Sequence, residues 1–469
     1  MVHLYTPHDA LAGQGSFARL GMSMERRWAA PREVARMSRH LSALWPLSFV
    51  VMLLLAIALV GPRMLGILGP PKVVAGPTPA AATVPGSPGA GPPQAAATSG
   101  KLAQRIVLGY YVPYDPTSWA SFQAEAADLD YVDAQWVTAD ACGNIGSRDD
   151  RTLIAYANEH GVKVLPSLLA SSGWVNHRLL TDPSTTDHFL NEIVSYVSEM
   201  GYPGFDLDME GIDAGDRDAY SNFVAALADA LHAHDKMLTL AIPAKTSDVR
   251  TGWGGPYDYR ALGAHADLVL LMTYDYSWAS GPPGSIAPQE WVGKVAKYAV
   301  SQIPPQKVLI GLAFYGYDWN TTVGGKARAL IYSQAAALAQ QYGTRIVTDR
   351  ASRSGRFSYV ARAGDTVPPP PSLQPLHHDI VVRTPDQCPV PSPSATPRAT
   401  GTPGPAPSPH PTLAPAPLQE HVVWLEDATS VEARLQIALQ NDVRGVGAWR
   451  LGQEDPGVWP QLRTYQSGK

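Results

Sequence analysis

Three carboxylates at alternate positions, Asp206, Asp208 and Glu210, stand in the run Gly204-Phe-Asp-Leu-Asp-Met-Glu210, with Phe205, Leu207 and Met209 between them. Side chains alternate across a strand, so the acids share one face and the apolar groups the other, with neighbouring acids about 6.5–7 Å apart. Strands of a parallel sheet are normally apolar on both faces, which makes an acid-lined one a candidate site. Crowded carboxylates do not all ionise cheaply: desolvation and mutual repulsion raise at least one pKa and hold a proton near neutrality, the state a general acid needs. The same spacing would also suit the wet face of an edge strand or an oxygen-ligand site for a hard cation.

The elements around this run decide where it sits. Short apolar segments alternate with helical patterns from Arg105 onward, the order of strand-helix-strand units in a parallel sheet. Strands are predicted at 106–110, 131–136, 163–167, 204–209, 237–242, 268–273, 307–312 and 445–449. Eight such strands imply an α/β fold, a closed (β/α)8 TIM barrel, with reactive groups at the C-terminal ends of its strands. Strand-like segments 356–360 and 421–425 flank a small insertion between strands seven and eight. Inside it, the stretch from Pro368 to Pro417 holds 17 of the chain's 43 prolines and reads as a disordered insert at about 366–418. His377, His378 and Asp379 within it read as a polar patch in a flexible loop, since no ligands at fixed spacing accompany them.

The rest of the 469 residues divides by composition. Residues 1–40 form a basic tail with Arg19, Arg26, Arg27, Arg32, Arg36 and Arg39. An apolar run from Leu44 to Val60, within 41–68, reads as a transmembrane signal anchor whose basic flank stays in the cytoplasm, leaving the remainder outside. Cleavage of that segment, giving a secreted protein, is the alternative. Residues 69–100 form a Pro/Ala/Gly linker, and 101–469 the catalytic barrel. A net charge of −5 carries no basic signature, so nucleic acid is not an expected partner. The two cysteines, Cys142 and Cys388, are too few for a disulfide framework or a cysteine metal site. Whether they pair stays open, with Cys388 placed in the proline-rich insert.

Four segments together resemble glycoside hydrolase family 18, the chitinase-like enzymes. Residues 205–210 are similar to its Asp-x-Asp-x-Glu signature, and Met272-Thr273-Tyr274-Asp275 to its Met-x-Tyr-Asp motif. Gly311 to Trp319 resembles its strand-seven segment, and Gly445 to Trp449 its strand eight. The wording of the last two, with Val423-Trp424-Leu425-Glu426-Asp427, is most like the branch acting on spore and cell-wall peptidoglycan. Pro203 departs from the pattern, which often has an acid just upstream of the motif.

The resemblance implies a retaining mechanism without a protein nucleophile, in which the substrate's 2-acetamido oxygen attacks the anomeric carbon. It implies Glu210 as general acid/base, Asp208 on the acetamido N–H, Asp206 sharing a proton behind it, and Tyr274 on the acetamido carbonyl. It implies that Asp275 contacts the sugar and that Trp449 floors it; Tyr315, Trp319, Trp136, Trp174 and Trp278, at strand ends, are further stacking candidates. The substrate would be an N-acetylated polysaccharide, handled by a monomer with neither metal nor cofactor. A carbohydrate-binding, lectin-like barrel docking to the cell wall is the alternative on the same scaffold.

Overall fold

The computed structural model describes residues 105–370, 373, 378–390 and 416–468. The segments expected to form the basic tail, the signal anchor at 41–68 and the linker, with most of the proline-rich insert, lie outside the described residues. Among the described residues no helix is long and apolar enough to cross a membrane.

Strands follow in the order β1 (Ile106–Tyr111), β2 (Tyr131–Ala139), β3 (Ile145–Asp150), β4 (Lys163–Ala170), β5 (Gly204–Met209), β6 (Met237–Pro243), β7 (Leu268–Met272) and β8 (Val308–Ala313). Then come β9 (Tyr315–Asn320), β10 (Arg328–Ile331), β11 (Val347–Thr348), β12 (Gly355–Arg362), β13 (Ile380–Arg383), β14 (Leu418–Leu425) and β15 (Gly445–Trp449). Eight of them, β1, β2, β4, β5, β6, β7, β8 and β15, pair in parallel, and the β1–β15 and β1–β2 ladders close the ring. The predicted TIM barrel is the observed one. Helices cover its outside, and several start where an aspartate accepts the free N–H groups of the first turn: Asp115, Asp150, Asp182, Asp258 and Asp427.

Strand parity sorts the core. On β5, Phe205, Leu207 and Met209 face outward into the large apolar layer between sheet and helices, beside Phe189, Val224 and Leu240. A second cluster, with Leu108, Tyr110, Leu270, Leu309 and Trp449, fills the barrel interior and continues into the insertion. Burial of these layers is the dominant favourable term for the fold.

The insertion is an antiparallel sheet in the order β10-β9-β14-β12-β11, and β12 pairs with β14 in the register Phe357 with Val423, so the flanking segments do form a hairpin. The stretch between them departs from the expectation of disorder. Residues 380–383 form β13, antiparallel to β3 on the outside of the barrel, with Val382 opposite Arg148. Arg383 ion-pairs with Glu192 and Glu199 at 3.2 and 3.1 Å, and Cys388 is bonded to Cys142. His378, rather than lying loose in a polar patch, puts its Nδ1 against the buried Asp150 carboxylate and its ring edge-on to Trp119 at 4.9 Å. The segment is a strap tying the insertion to the β2–β3 hairpin. His377 lies outside the described residues.

Candidate active site

The end of β5 builds the site. Asp206 and Asp208 point into the barrel and Glu210 follows at its C-terminal mouth; all three are buried. Asp206 is held from three sides: Oδ2 accepts from the Tyr110 hydroxyl at 3.0 Å and the Ser167 hydroxyl at 2.7 Å, and Oδ1 from Thr239 at 2.7 Å. Burial pushes its pKa up to about 6, against the opposing pull of those three donors. Asp208 is pushed up as well, by burial first and then by the charges of Glu210 and Asp206. Its Oδ1 is buried and meets no protein donor. The Glu210 backbone is pinned on both sides, N–H to the Ala170 carbonyl at 2.8 Å and C=O from the Asn176 amide at 2.6 Å. Gly211 then turns the chain at φ +68°, where a Cβ would sit 3.0 Å from the Ser171 carbonyl.

Facing the acids is the end of β7. Tyr274 is nearly buried, and its hydroxyl pKa is raised by burial and then by Asp208, Glu210, Asp275 and Asp206. Gly311 on β8 lets the ring approach; a Cβ there would lie 3.0 Å from Tyr274 Cε1. Asp275 adopts φ +57°, a left-handed conformation that costs a non-glycine residue about 1–2 kcal/mol. Such strain gathers at functional positions.

Glu210, Tyr274 and Asp275 open together onto a cleft of about 450 Å³, walled by Pro243, Met272, Trp253, Tyr276, Trp278 and Trp291. Trp253, Tyr276 and Trp278 are 40%, 58% and 37% exposed, apolar faces presented to solvent at the mouth. Tyr276 leans on Trp291 with ring centroids 5.2 Å apart.

The other aromatic candidates, Trp449, Tyr315, Trp319 and Trp136, are not among the residues that wall this cleft. Trp449 is buried 5.3 Å from the Tyr110 ring, in the same interior cluster as Tyr274 and Tyr315. Tyr315 packs edge-on to Tyr274 at 6.3 Å. Trp319 is 3% exposed, and its indole N–H donates to the Gly281 carbonyl at 3.0 Å, so it braces the loop that carries Trp278. Trp136 points away from the barrel interior: its indole N–H donates to the Tyr196 hydroxyl at 3.2 Å, within the layer under the helices. Parity explains this, because Asp133 on the same strand is the residue turned toward Asp206 and Asp208. That fourth buried acid and the walls Trp253, Tyr276 and Trp291 were not singled out from sequence. Asp133 carries a signal in the alternation Tyr131-Val-Asp-Ala-Gln135, while Trp253 and Tyr276 lie in loops without periodicity and Trp291 stands in the first turn of the helix Gln289–Gln302.

Among the described residues, one trio has metal-ligand spacing, Asp140 with Cys142 and Cys388. Both sulfurs are spent on each other, so neither offers the thiolate a metal needs.

Residues 106–454 match the family of glycosyl hydrolases family 18 across the whole barrel and its insertion. The chain belongs to that family. Within family 18, it is 28% identical over 285 residues to the cortical fragment-lytic enzyme of Bacillus subtilis, 60% of this chain and 54% of that one. It spans between 54% and 68% of the lengths of the three B. subtilis relatives it matches. The spore cortex-lytic enzyme SleL of Bacillus megaterium superposes with a TM-score of 0.61 at 24% identity, covering 76% of this chain and 73% of that one. A chitinase of Chromobacterium violaceum does so with a TM-score of 0.61 at 23% identity, over 77% of this chain and 98% of that one. These superpositions speak for the fold.

Proposed function

We propose that this chain is a retaining glycoside hydrolase that cleaves β-linked N-acetylglucosamine polymers, peptidoglycan or chitin-like, with the substrate's own acetamido group as nucleophile. The observation that carries the reading is the bare Oδ1 of buried Asp208 between Glu210 and Asp206, since a buried acceptor without a donor is costly. An acetamido N–H of a sugar in the cleft is the donor that would satisfy it. Held so, the acetamido oxygen lies toward the anomeric carbon, and the charge that develops as the ring closes is stabilised by the Asp208 carboxylate. Tyr274 contributes a hydroxyl that stays protonated, suited to donating to the acetamido carbonyl. Glu210, at the mouth, protonates the departing glycosidic oxygen and then draws a proton from water. Asp206, fixed by its three donors, takes up or returns the proton it shares with Asp208. Asp275 and the cleft aromatics hold the flanking sugar.

The proposal includes action outside the cytoplasm, with the 41–68 segment as a single-pass membrane anchor. The bond between Cys142 and Cys388 supports an oxidising compartment.

The test is the release of reducing ends from purified peptidoglycan and from chitin oligomers, with products assigned by mass spectrometry. Glu210→Gln should lower turnover at least about 100-fold while oligosaccharide binding persists. Equal hydrolysis by that variant would overturn the assignment of the acid. Binding without turnover by the unaltered protein would favour a wall-docking lectin.

A further inference from the structure

Asp133 on β2 is wholly buried, and neither of its carboxylate oxygens meets a protein donor. Its place in the barrel follows from register. Tyr110 on β1 lies beside Asp133, and Ser167 on β4 lies beside Gln135, so β2 runs between the two residues whose hydroxyls both donate to Asp206 Oδ2. The inner face of β2 at Asp133 is therefore in the layer occupied by the Asp206 carboxylate. The groups it interacts with offer no positive charge: the Tyr110 hydroxyl from β1 and the carboxylates of Asp206 and Asp208 from β5; the hydroxyls of Ser167 on β4 and Thr239 on β6 are engaged with Asp206.

An ionised carboxylate needs donors or a cation when it is taken out of water, and the described side chains offer this one neither. A carboxylic acid, by contrast, is itself a donor and asks only for an acceptor. The acceptors available in this layer are the carboxylates of the neighbouring strand.

We infer that Asp133 is a positioning residue of the acid stack: an uncharged carboxylic acid whose O–H serves the Asp206–Asp208 pair and steadies the negative charge that pair carries. The inference rests on the reading of that pair as catalytic. Burial, followed by the charges of Asp206 and Asp208, raises the Asp133 pKa, in the direction this role requires. When Asp208 accepts from a substrate amide as a carboxylate, the pair still carries one negative charge in the barrel interior, and Asp133 supplies a further donor to it beside Tyr110, Ser167 and Thr239.

The experiment compares the full chain with Asp133→Asn and Asp133→Leu, first without substrate. In infrared spectra at neutral pH, the parent-minus-Asp133→Asn difference should show the loss of one carbonyl band of a protonated buried carboxyl, separate from the band of the proton shared by Asp206 and Asp208. The melting temperature of Asp133→Asn should rise relative to the parent as pH climbs above about 4, because the parent alone must keep a proton that its unfolded chain has released. With substrate, Asp133→Leu should lose about tenfold in kcat at nearly constant KM and move the acid limb of its pH profile up by about one unit, the size of a lost hydrogen bond to a charged group. Asp133→Asn, which keeps an N–H donor, should recover most of that loss. An ionised-carboxylate band at residue 133, or a melting difference that does not change with pH, overturns the inference whether or not the protein hydrolyses anything. Should Asp133→Leu fail to fold, the infrared and melting comparison on Asp133→Asn decides alone. Absence of hydrolysis by the parent counts against the proposed function and leaves these substrate-free results standing.

Discussion

The Tyr317 hydroxyl donates to Asp275 Oδ1 at 3.0 Å, joining the insertion sheet to the end of barrel strand β7. It is one of a series of such grips. Trp319 holds the Gly281 carbonyl, the Ala327 N–H donates to the Ala279 carbonyl at 2.7 Å, and Ser354 meets Ser285 at 2.7 Å. Ser354 in turn donates to Glu426, whose carboxylate is paired with the buried Arg434. The loop from 275 to 287, which puts Tyr276 and Trp278 at the cleft, is thus shaped by the insertion. Removing the first grip with Tyr317→Phe should lower kcat/KM roughly three- to tenfold, the worth of one net hydrogen bond. Steady-state kinetics on a soluble oligosaccharide check this, with the melting temperature as the control for global damage.

Trp253 and Trp278 are exposed and make little of the core, so their loss should be felt in binding. Trp253→Ala and Trp278→Ala should each raise KM several-fold to about tenfold, with kcat and melting temperature little changed. A fall in kcat at constant KM would place them in the chemistry instead.

The Asp206 pKa of about 6 in the folded chain exceeds the usual carboxylate value, so the folded state keeps a proton the unfolded chain has lost. The contribution of this group to stability is therefore full below about pH 4 and declines as pH rises through about 6, by on the order of 2–3 kcal/mol. In Asp206→Asn that slope should be absent. Chemical denaturation of both proteins across this range, read as the difference in unfolding free energy, measures it.

Cutting the strap should cost stability before it costs chemistry. Cys142 and Cys388 are 246 residues apart, and opening so long a loop in the unfolded chain is worth about 2–5 kcal/mol. Cys388→Ser should lower the melting temperature and raise hydrogen exchange along β13 and its partner β3. Initial rates measured well below the transition should stay close to those of the parent.

Much of this was readable from the chain because barrel strands are short apolar runs, and parity then assigns each residue a side. Phe205, Leu207 and Met209 went outward and Asp206 and Asp208 inward as alternation requires. Trp136 was harder, because an aromatic near a strand end suits a sugar floor and a helix-facing core equally. The parallel ladder to β4 also slips between Gln135 and Val137. Trp253, Tyr276 and Trp291 sit on or after irregular loops, placed by contacts distant in sequence. The four residues of β13 were hidden by the prolines around them, since so brief a strand gains its pairing only from β3, over 200 positions earlier.

The sulfur link between Cys142 and Cys388 has a further effect on how the molecule wears. A peptidase cutting once anywhere in the chain between those two residues leaves both pieces covalently joined, and the barrel strands on either side of the cut remain in one particle. Nicked protein should migrate as a single species without reductant and as two fragments with it.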